Sequence, residues 1–183
     1  MPSSFDKLQK VRKINLDDNQ LKSIPESISK LVNLVDISMA KNKIASVEGD
    51  AFGPLVNLTI LDLHQNQLTD LSSIPNSPKL DQILLAFNQL TTLSNLERCP
   101  NLGVLDLHNN KMENLPDSVM TLYQMKTLKV SNNNLANINA RLGLLDNLVR
   151  LSIEGNPLKR LKPAMRTAGA KDLKEFLKLQ LGD

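Results

Sequence analysis

The sequence predicts an α/β solenoid: a right-handed stack of seven coils with a parallel β-sheet along its concave side. The first observation behind this is an eleven-residue phrase, L-x-x-L-x-L-x-x-N-x-L, which begins at residues 11, 34, 58, 80, 102, 125 and 148. The second is the even spacing of 22 to 24 residues between its asparagines, which are Asn19, Asn42, Asn66, Asn88, Asn110, Asn133 and Asn156. A fixed period in this range is typical of stacked repeats that share one core.

The phrase itself predicts a short strand in each coil. Its fourth and sixth places are apolar and are separated by a single residue that is usually polar, as in Ile14-Asn15-Leu16. This period of two is typical of a half-buried strand. Seven stacked copies therefore predict a parallel sheet of seven short strands.

The asparagine at place nine of each phrase is predicted to be structural. The chain turns out of the strand there and leaves backbone N–H and C=O groups between coils, where an unpaired group costs about 1–3 kcal/mol. An asparagine side chain offers both a donor and an acceptor. We therefore expect an inward-facing column of asparagines with no role in binding.

The convex side is predicted to be irregular, with 3₁₀ or short helical segments. Pro25 and Pro116, in IPESISKL and LPDSVMTL, favour an extended entry into such a segment. The spans SSIPNSPKL and SNLERCPNL belong to 22-residue repeats and are expected to be tighter and less helical.

The two ends of the solenoid are predicted to differ. We assign residues 1–161 to the solenoid and residues 162–183 to a C-terminal helical cap, because an open end would expose the core. The apolar residues of the cap recur at helical spacing and are Leu173, Phe176, Leu177 and Leu181.

Residues 2–10 resemble half a coil, because Pro2, Phe5 and Leu8 match the return segment 23 residues later. The first strand, from Val11 to Leu16, is thus expected to be an exposed edge that offers a site for self-association. Either the chain is the C-terminal part of a longer solenoid, or this edge is used or tolerated.

Composition predicts one domain in the cytoplasm. No stretch approaches the roughly 18 apolar residues of a membrane span, and the N-terminus lacks the apolar run of a signal peptide. Cys99 is the single cysteine, which excludes an intramolecular disulfide and favours a reducing compartment. Asn57-Leu58-Thr59 matches a glycosylation acceptor, but the repeat explains this asparagine better, since Asn33, Asn101 and Asn147 occupy the same place.

The phrases resemble those of intracellular leucine-rich repeat proteins, and the returns IPESISKL and LPDSVMTL are similar to the Ras-group-related type. The tail EGNPLKRLKPAMRTAGAKDLKEFLKLQL resembles the C-terminal part of the leucine-rich repeat-containing protein 40 family. This resemblance implies an intracellular protein-interaction module, and it supplies no catalytic residue.

The concave face is the predicted protein-binding surface. Places two, three, five, seven and eight of the phrase are predicted to face outward from the sheet, and the central coils carry apolar side chains there with a polar rim. The apolar residues are Ile60, Leu84, Phe87 and Val104, and the rim is Asp62, His64, Asp106 and His108. The alternative interpretation is that these apolar residues only strengthen the sheet.

No enzyme, cofactor or metal site is predicted. His64 and His108 stand two coils apart, about 10 Å by strand spacing, and no thiol lies on their face. The sequence holds no glycine-rich phosphate loop and no H-E-x-x-H motif. Cys99 takes a core place that leucine holds elsewhere, which predicts an inert buried thiol.

Charge suggests a second surface. The net charge is +3, and the segment after Asn156 carries seven basic against three acidic residues. Its candidate basic patch is Lys159, Arg160, Lys162 and Arg166. Such an end could contact an acidic protein, phosphoinositide or nucleic acid, whereas the simpler alternative is a solvated outer face.

The sequence therefore predicts a non-enzymatic module that binds a protein partner through its concave face. The alternative is a structural end cap of a longer repeat scaffold that binds nothing itself.

Overall fold

The computed structural model describes residues 8–181, and its central feature is a seven-stranded parallel sheet. Each strand covers places three to five of one phrase. The strands are β1 (Lys13–Asn15), β3 (Asp36–Ser38), β5 (Ile60–Asp62), β6 (Gln82–Leu84), β7 (Val104–Asp106), β8 (Thr127–Lys129) and β9 (Arg150–Ser152). Their order in the sheet follows the chain, which confirms the predicted seven-stranded solenoid.

The register of the sheet aligns equal places of successive phrases. Lys13 lies opposite Asp36, for example, and Ile60 lies opposite Gln82. Because every coil repeats the same phrase, each outward place forms a continuous column across the concave face. The columns read from the sequence are thus the columns of the folded protein.

A second, two-stranded parallel sheet was not predicted. It pairs β2 (Ser23–Ile24) with β4 (Ser46–Val47), just after the phrases of the first two coils. Ile24 and Val47 are β-branched, which favours extended backbone.

The convex side carries short 3₁₀ segments in the 23-residue repeats, whereas the described 24-residue repeat from Asn42 to Asn66 holds none. The 23-residue coils hold the five-residue segments Glu26–Lys30, Asp117–Thr121 and Ala140–Leu144. Of the two 22-residue repeats, one holds only Leu96–Arg98, and the return between β5 and β6 holds no helical segment in the described chain. The predicted loss of helix in the shorter repeats is therefore confirmed.

Small polar side chains explain how these shorter coils still pack. Ser77 and Cys99 take the core place that leucine holds elsewhere, and both are fully buried. Ser77 Oγ lies 2.8 Å from the Leu58 carbonyl oxygen and 3.0 Å from that of Val56, so its single proton is shared between these two acceptors. Cys99 Sγ donates to the carbonyl oxygen of Pro75. The smaller residues thus bind the backbone of the preceding coil instead of filling a larger core.

The buried asparagines form the expected column. Asn66 Nδ2 donates to the Met39 carbonyl of the preceding coil at 2.9 Å, and its Oδ1 accepts from Ile44 N at 2.9 Å. The same pattern repeats at Asn42 and in the later coils, where the asparagines are buried. Asn19 differs, because it is exposed and donates to Leu16 and Asp17 within its own coil.

A second, exposed column of asparagines lies where the chain enters each strand. Asn33, Asn57, Asn101 and Asn147 each donate through Nδ2 to a carbonyl of the preceding coil. Asn57 also accepts from Lys79 Nζ at 2.8 Å. Both Nδ2 and Oδ1 of Asn57 are thus hydrogen-bonded within the solenoid. This agrees with the prediction that Asn57 is a structural residue of the repeat.

The N-terminal end of the sheet is the strand β1. Its coil contributes Val11, Ile14, Leu16 and Leu21, which are only half-buried, whereas their equivalents in the next coil are fully buried. Most of the predicted half coil lies in residues 1–7, outside the described residues. Self-association through this edge stays a prediction.

The C-terminal helix α1 (Ala170–Leu179) covers the last coil. Leu173 and Leu177 are buried there, and the helix packs mainly on the return segment Ala140–Leu144. Lys174 Nζ donates to the carbonyl oxygens of Asp146 and Leu148. In earlier coils, the carbonyl at the same place, such as Tyr123 O, accepts a hydrogen bond from the exposed asparagine of the next coil. Lys174 therefore takes the place of the donor that an eighth coil would supply.

Arg166 makes a second replacement of this kind. Its Nη2 donates to the Leu158 carbonyl at 3.0 Å and its Nε to that of Leu161 at 3.3 Å. The equivalent carbonyl of an interior coil, such as Leu90 O, accepts from a backbone N–H of the next coil. Two cationic side chains of the cap therefore donate to carbonyls that the next coil serves in the interior of the solenoid.

Within residues 8–181, none of the helices is both long enough and apolar enough to cross a bilayer.

Glycine at position 143 is required for the close approach of α1. A Cβ there would lie 2.9 Å from the Lys174 carbonyl oxygen and 3.0 Å from Lys178 N. Gly143→Ala should therefore lower the free energy of unfolding by about 1–3 kcal/mol, the usual cost of overpacking. Urea unfolding measures this change.

Gly169→Ala is the matched control, because a Cβ at Gly169 meets nothing within 4 Å. It precedes the same helix and should leave the urea midpoint nearly unchanged. Equal destabilisation by both variants would contradict close packing of α1 at Gly143.

Candidate protein-binding surface

Place eight of every phrase has a left-handed backbone conformation. The φ angle there is between 53° and 56° in six coils and 72° in the seventh. The residues are Asp18, Lys41, Gln65, Phe87, Asn109, Asn132 and Gly155. Polar residues and glycine dominate this column because this conformation is unfavourable for bulky side chains. That composition is the signal in the sequence for the left-handed turn.

Phe87 is the exception in this column. Its φ is 56°, and its side chain is 47% exposed at the centre of the concave face. The ring meets that of His108 edge to face, with centroids 4.8 Å apart. This bulky aromatic residue therefore holds an unfavourable backbone conformation while nearly half of its surface remains exposed.

The other predicted apolar residues lie around Phe87 but do not form one continuous strip. Ile60, Leu84 and Val104 are half-buried, outward-facing residues of β5, β6 and β7. The register places Gln82 between Ile60 and Val104. Leu84 lies between Asp62 and Asp106. The centre of the face is thus a mixed surface in which Phe87 protrudes most.

Both histidines are oriented by an aspartate two residues earlier. His64 Nδ1 lies 2.7 Å from Asp62 Oδ1, and His108 Nδ1 lies 2.5 Å from Asp106 Oδ1. The aspartates also accept from the backbone N–H of the same histidines. Each imidazole is therefore fixed at one nitrogen while its ring remains partly exposed.

Asp106 is a buried support and does not stand in the exposed rim as predicted. It is only 6% exposed, because His108 and Lys129 cover it. Burial by itself raises the pKa of Asp106, but hydrogen bonds from His108 and from Lys129 Nζ at 2.9 Å outweigh it, so the pKa lies below its usual range. Asp106 thus links His108 to the next strand.

The predicted basic patch is divided between structure and solvent. Arg166 is half-buried and holds the carbonyls of Leu158 and Leu161, whereas Lys159, Arg160 and Lys162 are exposed. The sequence predicted Arg166 only as a member of the basic patch, and the repeat pattern gave no signal for its contacts with these carbonyls. The last coil also departs from the others at Pro157. In interior coils the residue at this place donates its backbone N–H to a carbonyl of the preceding coil, but proline has no N–H. Leu158 N donates to Leu135 O instead, and the φ angle of Leu158 is 35°.

Known proteins share the repeat. Models of the leucine rich repeat match residues 10–31 and 33–90. The adenylate cyclase of Schizosaccharomyces pombe is 27% identical over 88% of this chain and 11% of its own length. Lumican of Gallus gallus is 31% identical over 86% of this chain and 47% of its own. An internalin structure from Listeria monocytogenes superimposes with a TM-score of 0.75 at 22% identity, over 90% of this chain and 47% of that one.

The chain thus carries leucine-rich repeats and has the fold of a leucine-rich repeat solenoid. It spans less than half the length of these curated relatives, and the internalin likeness concerns the fold alone. Proteins of this repeat class are mostly non-enzymatic and mediate protein–protein interactions.

The leucine-rich repeat solenoid shows no candidate metal centre among its described residues. No group of three or more histidine, cysteine, aspartate or glutamate side chains there could hold an ion. The two histidines are paired with separate aspartates in separate coils.

The lowered pKa of Asp106 makes part of the stability of this leucine-rich repeat solenoid depend on pH. A carboxylate whose pKa is depressed in the folded state stabilises above its unfolded pKa of about 3.9, and this stabilisation is lost as pH falls through the folded value. Asp106→Asn should cost roughly 1–3 kcal/mol near pH 6 and progressively less as the pH falls below 4. Urea unfolding across this pH range measures the difference.

Lys129→Met is the graded control for Asp106, because it removes one of the two donating side chains and leaves His108 in place. Its effect should also diminish with acid but should be smaller. A difference between wild type and Asp106→Asn that stays constant from pH 6 to pH 3 would contradict a role for the carboxylate charge.

Burial raises the pKa of the Cys99 thiol to about 11, although a hydrogen bond involving Ser77 acts in the opposite direction. The thiol should therefore be protonated at neutral pH and react slowly. We expect iodoacetamide to modify Cys99 at least about a hundredfold more slowly in the native protein than in urea, because reaction requires opening of the core. Mass spectrometry follows the modification, and comparable rates would contradict burial of the thiol.

Proposed function

We propose that this leucine-rich repeat solenoid is a non-enzymatic module that binds a protein partner through its concave face. The proposed contact surface, called here the concave patch, consists of Ile60, Leu84, Phe87, Val104, His64 and His108. Asp62 and Asp106 support the two histidines from behind. Solenoids of this kind characteristically present an extended concave surface to partners.

The observation that carries this proposal is the conformation of Phe87. A left-handed backbone costs a bulky residue about 1–2 kcal/mol, and 47% of the surface of Phe87 nevertheless remains exposed to solvent. Strained residues persist where they serve function. Aromatic residues are also enriched among those that dominate binding energy.

The surroundings of Phe87 favour a preorganised surface. Its ring packs against His108, which Asp106 orients, and Asp106 in turn accepts from Lys129 on the next strand. Side chains held in place before binding lose less conformational freedom when a partner docks. Phe87 would therefore be an anchor residue whose ring His108 holds in position before the partner binds.

Phe87→Asn tests the proposal, because asparagine occupies the same place in the next two coils. This change should relieve strain and keep or raise the urea midpoint, while partner capture falls by at least about tenfold. Tagged wild-type protein is used to capture partners from a lysate, and quantitative mass spectrometry compares the variants. Leu84→Ser, in the neighbouring strand position, should also reduce capture.

Tyr123→Asn is the control, because it removes another exposed aromatic side chain, 60% exposed, which lies outside the concave patch. Partners that survive Tyr123→Asn but are lost with Phe87→Asn and Leu84→Ser support the concave patch. Capture of the same partners by all variants would contradict the proposal. If the wild-type protein captures no specific partner, this result would favour the second candidate function, an end segment of a longer scaffold.

The second candidate is supported by the replacement of missing donors by Arg166 and Lys174. A solenoid end completed in this way is suited to terminate a repeat array. A third possibility uses the exposed Lys159, Arg160 and Lys162 to contact an acidic partner, phosphoinositide or nucleic acid. The resemblance to the Ras-group-related type and the unpaired Cys99 support a cytoplasmic location as part of the main proposal.

A further inference from the structure

A groove of about 490 Å³ lies along the edge where the chain enters the first strands, outside the concave patch. We call it the entry-edge groove. Its wall is formed by side chains of the first four coils. They are Gln9, Lys10, Arg12, Asn33, Val35, Asn57, Thr59 and Lys79.

The described residues that line the entry-edge groove carry only positive charge. Lys10, Arg12 and Lys79 line it, and no carboxylate of residues 8–181 does so. The nearby Asp36 pairs with Lys13 at 3.2 Å on the concave side. The carboxylate of Asp81 points toward the fifth coil, because a Cβ added to Gly103 would clash with Asp81 Oδ1.

These three cations are not neutralised by the described chain. Lys79 Nζ donates to a neutral amide, Asn57 Oδ1. Within residues 8–181, Lys10 and Arg12 take part in no ion pair, and both are exposed. The surface therefore retains three positive charges available to an anionic ligand.

The cations stand at the two ends of the entry-edge groove, with a neutral floor between them. Lys10 and Arg12 belong to the first coil and Lys79 to the fourth, so about 14 Å separates the ends at about 4.8 Å per coil. The floor offers few free donors, because Asn33, Asn57 and Thr59 already donate to backbone carbonyls.

This spacing selects the kind of ligand. One phosphate or one carboxylate cannot reach both ends. An extended polypeptide rises about 3.3 Å per residue, so side chains four residues apart are separated by about 13 Å. We propose that the entry-edge groove binds an extended acidic segment of a protein partner, with carboxylates about four residues apart. The neutral residues between them lie over Val35 and the asparagine amides.

Fluorescence anisotropy with a labelled peptide tests this proposal at low salt. The probe is Glu-Glu-Ser-Thr-Glu-Glu, and the matched probe is Glu-Glu-Glu-Glu-Ser-Thr, which has the same charge without the spacing. Arg12→Gln combined with Lys79→Gln should weaken binding of the spaced probe by about tenfold, since it removes a cation from each end. Wild type should prefer the spaced probe by about threefold or more.

Lys159→Gln combined with Arg160→Gln is the matched control, because it removes two exposed charges elsewhere and should change binding less than about twofold. Phe87→Asn should leave probe binding intact, so failure of the concave patch and failure of the entry-edge groove are distinguishable. Equal losses in both charge variants, equal affinity for both probes, or full competition by millimolar inorganic phosphate would each overturn the proposal.

Discussion

Satisfaction of the buried backbone at place nine is the constraint on which the rest of this structure depends. Each interior asparagine donates to the preceding coil and accepts from it, as Asn66 does with Met39 and Ile44. Without these bonds, every turn out of the sheet would leave unpaired backbone groups between apolar layers. Because the asparagine reaches a fixed position on the neighbouring coil, it also sets how one coil lies on the next. The regular columns of the concave face follow from that stacking.

The same requirement explains both the ends and the exceptions. At the C-terminal end, Arg166 and Lys174 donate to carbonyls that the next coil serves elsewhere. Cationic side chains suit this task because they are long and carry several donors. In the short coils, Ser77 and Cys99 use their own donors toward the preceding coil. The basic character of the cap is therefore partly a consequence of backbone chemistry and not only a sign of an anionic partner.

The repeat also makes unusual residues visible, because each place has six comparisons within the chain. Phe87 stands out only because the other coils place polar residues or glycine at the same left-handed position. The entry-edge groove stands out because Lys10 and Lys79 occupy a column that asparagine holds at positions 33, 57, 101 and 147. These departures are not needed to build the solenoid, which is why they carry the functional proposals.

The sequence by itself determined the solenoid, the strand register, the buried asparagine column and the capping helix, because all four depend on local periodicity and on the repeat length. Ile60, Leu84, Phe87 and Val104 could be placed on the concave face for the same reason. The degree of burial of Asp106 and the carbonyls held by Arg166 were decided only by the tertiary structure. The contacts of the C-terminal cap join residues that the repeat period does not relate, such as Arg166 with Leu158 or Gly143 with Lys174. A periodic pattern specifies equivalent positions, whereas these side chains meet through the particular geometry of one coil and its neighbour.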